Sequence, residues 1–333
     1  IFISFFFKKP TPKKRVRVGA GAQPGGFRRP GEIVDSGEEE EVIVQDGDSS
    51  ESDPDEEDIA IREEAEVSAE AAEDGDEGQA VHNERVVKTL REKAIVIMEG
   101  KGIRMDPREV KIALQIFPRV SGLARRVHDS SPIKERFDSM VATDPTVAGT
   151  QRTLARRVPT RWNADLDCLE SHFYFRDVVE QLTAIPSLKL KAYHLSTDQW
   201  AMASDVQEIL LLLDDVTKIF SMAEVPLIVD VIPTLEELRE GLIGARDDRI
   251  NPVSSVVRVA CQAALLLIDK YSTFANDCDI YVIAIMMCPD RKSKWFKDHG
   301  RTARQIKEIE KMVIAKWNEV YGPEDSSDAE VED

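Results

Sequence analysis

What most constrains this chain is where its charge sits. Residues 32–77 carry 22 acidic side chains and one basic, Arg62, and residues 322–333 add six acids and no base. Runs of this kind repel themselves and hold few large apolar groups, so burial cannot offset their ordering entropy. Residues 1–31 are the reverse, with eight Lys and Arg and no acid, and from 8 onward they are rich in Gly and Pro. The formal charge of −18 is therefore a property of the ends. The expectation is a basic disordered linker at 8–31, an acidic disordered arm at 32–80 and an acidic disordered tail at 322–333. Between them lie about 240 residues of ordinary composition, enough for one large domain or two small ones.

Four cysteines (Cys168, Cys261, Cys278, Cys288) show no CxxC spacing and follow no secretory signal, which reads as reduced thiols in a cytosolic or nuclear protein. Apolar runs such as Ile1 to Phe7 and Ile209 to Leu213 fall short of the ~20 residues of a membrane helix. No membrane span is expected. IFISFFF has no initiating Met and runs straight into Lys8 and Lys9, so 1–7 reads as the remnant of a core helix in a fragment. The following KKPTPKKRVR has the form of a nuclear localisation signal, with a solvated basic linker as the plainer reading.

Helical periodicity takes over from His82. Val86, Val87, Leu90, Ala94, Ile97 and Met98 form one stripe, which Gly100 and Gly102 terminate. Pro107 after Asp106 opens a second helix bearing Val110, Ala113, Leu114 and Phe117, and a shorter one over Pro132 to Val141 is capped by Ser130 or Ser131. The pattern fades between 142 and 158. A helix opens near Asn163 and continues past Leu182. Ser196 and Gln199 form a capping box for a long helix over Trp200 to Phe220. Further helices are expected at Glu224 to Ile243, broken or kinked at Pro233, at Val253 to Phe274, and at Arg301 to Tyr321. RTLARRV and the apolar run at 280–287 could compete as strands, but mainly α is the fold class.

Signs of catalysis are few. There is no glycine-rich phosphate loop, GxSxG or HExxH. Cys168 and His172 lie four apart on one helix and could face a metal or pair as thiol and imidazole, with helix packing the plainer reading. Asp165, Asp167, Asp214, Asp215, Asp247 and Asp248 invite a two-metal reading, against which stand caps and solvated faces. The stronger lead is a basic flank. Residues 78–161 hold 17 Lys and Arg against 9 acids. Arg119, Arg125, Arg126, His128, Lys134, Arg136, Arg152, Arg156, Arg157 and Arg161 could neutralise several phosphates if gathered on one face, or could be an ordinary solvated surface.

Three stretches resemble the middle of hAT superfamily DNA transposases of the fungal type. LARRVHDSSPIKERFD leads to RRVPTRWNADLDCLESHFYFRDVVEQLTA, then comes the long block from LSTDQW to LREGL with VRVACQAALLLIDKY, then IAIMMCPDRKSKWF. The likeness covers about residues 110–320, and Thr160-Arg161-Trp162-Asn163 is its most specific tetrapeptide. It implies an all-α insertion domain attached to a partial RNase H-like α/β core. On that reading 81–162 is a basic helical segment leading into the Thr-Arg-Trp motif, and 163–321 is the insertion-type domain. The family cleaves and joins DNA strands with Mg or Mn held by three acidic residues. Two of these belong upstream of a Cys-x-x-His block and one to a C-terminal Ser-x-Glu-Arg-like block, and this sequence contains neither block. The resemblance thus implies a catalytically inactive fragment with no cofactor of its own, also lacking the BED-type zinc finger and the C-terminal dimerisation region, so that oligomerisation is not expected. Trp162 matches the family Trp that stacks on a DNA base, and Arg161 would meet a phosphate. The expected DNA contacts are Trp162, Arg161, Arg156, Arg157, Arg125 and Arg126, in the nucleus, with no membrane or small-molecule partner. The alternative is a helical interaction module whose acidic arm binds basic nuclear partners.

Overall fold

The computed structural model describes residues 1–7, 56–73, 77–147, 149, 151–158, 161–222 and 227–322. The localisation-type run, the basic linker 8–31, the arm up to residue 55, Thr160 and the tail from 323 lie outside the described residues. Twelve α-helices occur among the described residues: α1 (Glu56–Glu73), α2 (Glu77–Gly100), α3 (Pro107–Asp129), α4 (Ser131–Thr143), α5 (Asn163–Tyr174) and α6 (Arg176–Thr183). Then come α7 (Thr197–Phe220), α8 (Val231–Asp247), α9 (Ser255–Asn276), α10 (Asp279–Met287), α11 (Lys292–Asp298) and α12 (Ala303–Tyr321). No strand occurs among the described residues, so RTLARRV is irregular and the apolar 280–287 run is helical.

Helix α3 is the pillar. Asp106 accepts from the Arg108 amide at 2.9 Å with Pro107 at the first position, as the sequence predicts. Ile116, Phe117, Val120, Leu123, Ala124 and Val127 are buried on it, and α1, α4, α5, α7 and α9 pack around it. The initial segment tucks beneath: Ile3–Phe5 forms one 3₁₀ turn, Phe7 stacks on Phe117 at 5.0 Å, and Phe2, Phe5 and Phe6 are buried. One apolar core runs from Phe2 to Ile268 through both segments expected on either side of Trp162, so packing marks no boundary there. A second, smaller core gathers Ile232, Ala275, Val282, Ile285 and Phe296 under α12.

Three local expectations are corrected. The acidic arm is not wholly unstructured, because 56–73 is helical and residues 77–80 open α2. Its Ala and Glu content favours a helix. Its inward residues Ala60, Glu63, Glu64 and Val67 sit against α3 and its neighbours. The single helix expected after Asn163 splits at Phe175, whose ring is fully buried edge-on against Phe137 at 5.2 Å. Before Pro233 a 3₁₀ turn (Leu227–Asp230) precedes α8, placing the proline in the first helical turn, where no intrahelical N–H bond is lost.

Candidate nucleic-acid interface

Two neighbouring carboxylates of α1 meet the basic flank. Glu64, 3% exposed, accepts from Arg157 at 2.5 Å and Arg125 at 3.0 Å, and takes a short hydrogen bond from the Ser121 hydroxyl. Glu63 accepts from Arg126 at 2.7 Å and from the Tyr193 hydroxyl, also at 2.7 Å. Tyr193 in turn accepts from the Arg126 Nε at 3.1 Å. Gly122 of α3 is what lets this tyrosine ring approach the helix so closely, since a Cβ there would stand 2.5 Å from it.

Arg157 is the hub. Its guanidinium lies over the Phe7 ring at 4.3 Å and donates to Glu64 on one side and to Asp165 on the other, the latter also at 2.5 Å. Burial holds the Asp165 carboxyl up at about 6, against the pull of Arg157. Arg125, Arg126 and Arg157 are thus balanced by Glu63, Glu64 and Asp165. A cavity of about 140 Å³ remains between α1 and this face, lined by Glu64, Val67, Ser121, Arg125, Arg156 and Arg157. Three guanidiniums and a hydroxyl thus share a space with one carboxylate.

The expected contact residues divide accordingly. Arg125, Arg126 and Arg157 come together but face α1; Arg156 joins them, half exposed and 3.5 Å from Asp129. Arg161 is exposed beyond the cluster. Trp162 is half-buried in the wall of a second, larger cavity of about 560 Å³, mostly apolar, with Arg157 and Asp165 at its polar end and Ile1, Phe2, Leu213, Leu238 and Ile268 around it. Arg157 therefore borders both cavities. Arg119 belongs to the core, where it donates to the His194 carbonyl. His128 contacts the Leu154 carbonyl at 2.8 Å, and Lys134 pairs with Asp138 at 2.5 Å. Arg136 and Arg152 are exposed. Sequence reasoning missed Glu63, Glu64, Ser121 and Tyr193. The available signal was the 60, 63, 64, 67 spacing on α1, hidden by the acidity of its face.

The other candidates do not assemble a site. The Cys168 thiol and His172 ring are both buried, and the His172 Nδ1 donates to the Cys168 backbone carbonyl at 2.8 Å, not to sulfur. Burial pushes the thiol upward and the imidazole down to about 4, so no thiolate and imidazolium pair forms. Asp165 is spent on Arg157, whereas Asp214 accepts from Asn163 at 2.9 Å and pairs with Lys218 at 2.6 Å. These carboxylates do not fit a divalent-metal site, and no group of three or more metal-type ligands converges among the described residues. Among the described residues no helix is long and apolar enough to cross a membrane. No protein-family model matches the sequence, and neither a curated protein nor a solved structure shows significant similarity to it.

Proposed function

We propose that this chain is a hAT transposase-derived helical module that contacts nucleic-acid backbone and does not itself cleave strands. The observation that carries the reading is the gathering of Arg125, Arg156 and Arg157 around one small polar cavity, with Arg161 exposed nearby and Trp162 at the adjoining apolar one. Guanidiniums grip phosphate as a planar fork, and an indole face supports an unstacked base. The sequence blocks around Thr160-Arg161-Trp162-Asn163 support the transposase origin, and with it the proposal that these helices are an insertion-type domain on a partial RNase H-like core. The basic run at 8–17 supports a nuclear site of action. The alternative, an acidic arm reserved for basic partners, is weaker for α1, whose Glu63 and Glu64 are turned inward.

Arg156 and Arg161 are exposed, so their removal leaves the core intact. Anisotropy titrations of the full chain on labelled DNA are expected to show Arg156→Ala and Arg161→Ala each weakening binding regardless of sequence. Each should flatten the dependence of log K on log salt by about one unit, one lost phosphate contact apiece. Trp162→Ala should weaken binding to single strands only. Variants that bind like the parent at every salt concentration would refute the assignment.

A further inference from the structure

Helix α1 is held by an unusual face. Of its inward residues Ala60, Glu63, Glu64 and Val67, two are carboxylates, and the closest contacts across the interface are ion pairs to Arg125, Arg126 and Arg157 with hydrogen bonds from Ser121 and Tyr193. The apolar part is smaller: Ala60 is buried, Ile59 is half-buried at a cavity beside Ile185 and Leu190, and Val67 lies at the edge of the 140 Å³ cavity. A helix retained by apolar burial resists salt. One retained by charge competes directly with any other anion of suitable shape.

The contents of the cavity supply the second half of the argument. Glu64 presents one oxygen to Arg157 and the other to Arg125 and Ser121. Two oxygens of a tetrahedral phosphate, set between two forks and a hydroxyl, would meet the same donors. A third guanidinium, Arg156, lines the same cavity and has its own carboxylate, Asp129, at 3.5 Å on the open surface. In its lining the cavity therefore holds three cationic groups against the single carboxylate of Glu64.

We infer that the cavity between α1 and the α3 face is a phosphate site in which Glu64 stands in for the ligand, and that α1 and a backbone phosphodiester occupy it in turn. This rests on the nucleic-acid reading above and adds its regulation: α1 is a displaceable acidic strap. When α1 leaves, Arg157 keeps Asp165 and the Phe7 ring, so the hub stays in place while its outward face opens. Departure of Glu63 also frees Arg126, which lies outside the cavity, for one further phosphate.

The test uses the full chain. Binding of labelled duplex and single-stranded DNA is measured over several salt concentrations for the parent and for the double variant Glu63→Gln, Glu64→Gln. Amide exchange of α1 is followed in the unmodified chain with and without DNA, so that a folding defect in the variant cannot decide the matter. The expected result is tighter binding by the variant and a shallower salt slope for the parent than for the variant, because salt also loosens the ion pairs by which α1 competes. In the parent, α1 amides should exchange faster on adding DNA while those of α9 stay unchanged. Inorganic phosphate alone, at matched ionic strength, opening α1 to the same extent would support the site and assign its occupant to the free ion. DNA bound with α1 protection unchanged and no gain in the variant would overturn the strap and leave the nucleic-acid reading standing. No DNA binding by either protein, even at low salt, would overturn both.

Discussion

Asp165 and His172 sit seven residues apart on α5, both buried, and burial moves them in opposite directions. Asp165 is raised from an ordinary 3.8 to about 6, and His172 is lowered from 6.5 to about 4. Between pH 4 and 6 the folded state binds more protons at Asp165 than the unfolded chain does, so that group's contribution to stability falls as pH rises. His172 does the reverse: its contribution is fully present above 6.5 and is lost as pH drops toward 4. Each shift is worth about 3 kcal/mol, so the two slopes nearly cancel. Separating them makes the effect visible. His172→Phe should leave a protein whose urea midpoint falls from pH 4.5 to 6.5 relative to the parent, and Asp165→Asn one whose midpoint climbs over the same range. Curves parallel to the parent's would show that neither side chain titrates on unfolding. None of this was legible in the sequence, which offered Cys168 and His172 as a pair and Asp165 as a metal ligand. Spacing identifies which residues share a helix face, but not whether that face is dry or which partner reaches it first.

The sequence was most legible at the level of helices, wherever local chemistry alone sets the boundary. Asp106 with Pro107 caps α3, and Ser196 with Gln199 forms a reciprocal capping box for α7, both as the residue types require. Thr302 and Gln305 repeat the box at α12, a signal of the same form that the sequence reading passed over. Elements fixed by tertiary partners were not readable: α1 forms where an acidic segment finds three arginines, and α5 ends where Phe175 turns into the core. Of the arginines offered as DNA contacts, Arg125, Arg126, Arg156 and Arg157 come together, but their neighbours from α1 could not be foreseen. Gly122 shows how tight that face is. A methyl group there would meet the Tyr193 ring at 2.5 Å, and a ring hydrogen-bonded to both Glu63 and Arg126 cannot simply step aside. Gly122→Ala is expected to cost about 1–3 kcal/mol by overpacking, despite the better helix propensity of alanine. Thermal unfolding would measure it, and because Tyr193 carries Glu63, the variant should also loosen α1, seen as faster α1 amide exchange. A gain in stability would mean that Tyr193 moves freely.

At the scale of the whole molecule, two cores of unequal size share two helices, and α8 gives Leu238 and Leu242 to the large core and Ile232 to the small one. Val256 to Ile268 of α9 lie in the large core, and Ala275, near its end, lies in the small one with Ile232, Val282, Ile285 and Phe296. The small core is thinly covered. Helix α12 contributes Ile306, Ile309 and Met312 only as partly buried neighbours, and from Ile314 onward Trp317, Val320 and Tyr321 are more than half exposed. Arg291 ties this end down, donating to Asp230 at 2.5 Å and to the Val229 carbonyl. Regions with few buried apolar groups open at lower free energy than the rest of a chain, so α10 to α12 should open without the large core. Phe296, 2% exposed, is the largest side chain at the centre of the small core. Its truncation to Ala removes a ring the surroundings can only partly refill, at a cost of about 3–5 kcal/mol. If the two cores are independent, that cost appears almost wholly in local opening. Amides of 279–321 in Phe296→Ala should then exchange much faster while those of 256–268 keep the parent's protection, and the main urea transition should shift little. Equal loss of protection in both halves would mean that α8 and α9 couple the cores into one cooperative unit.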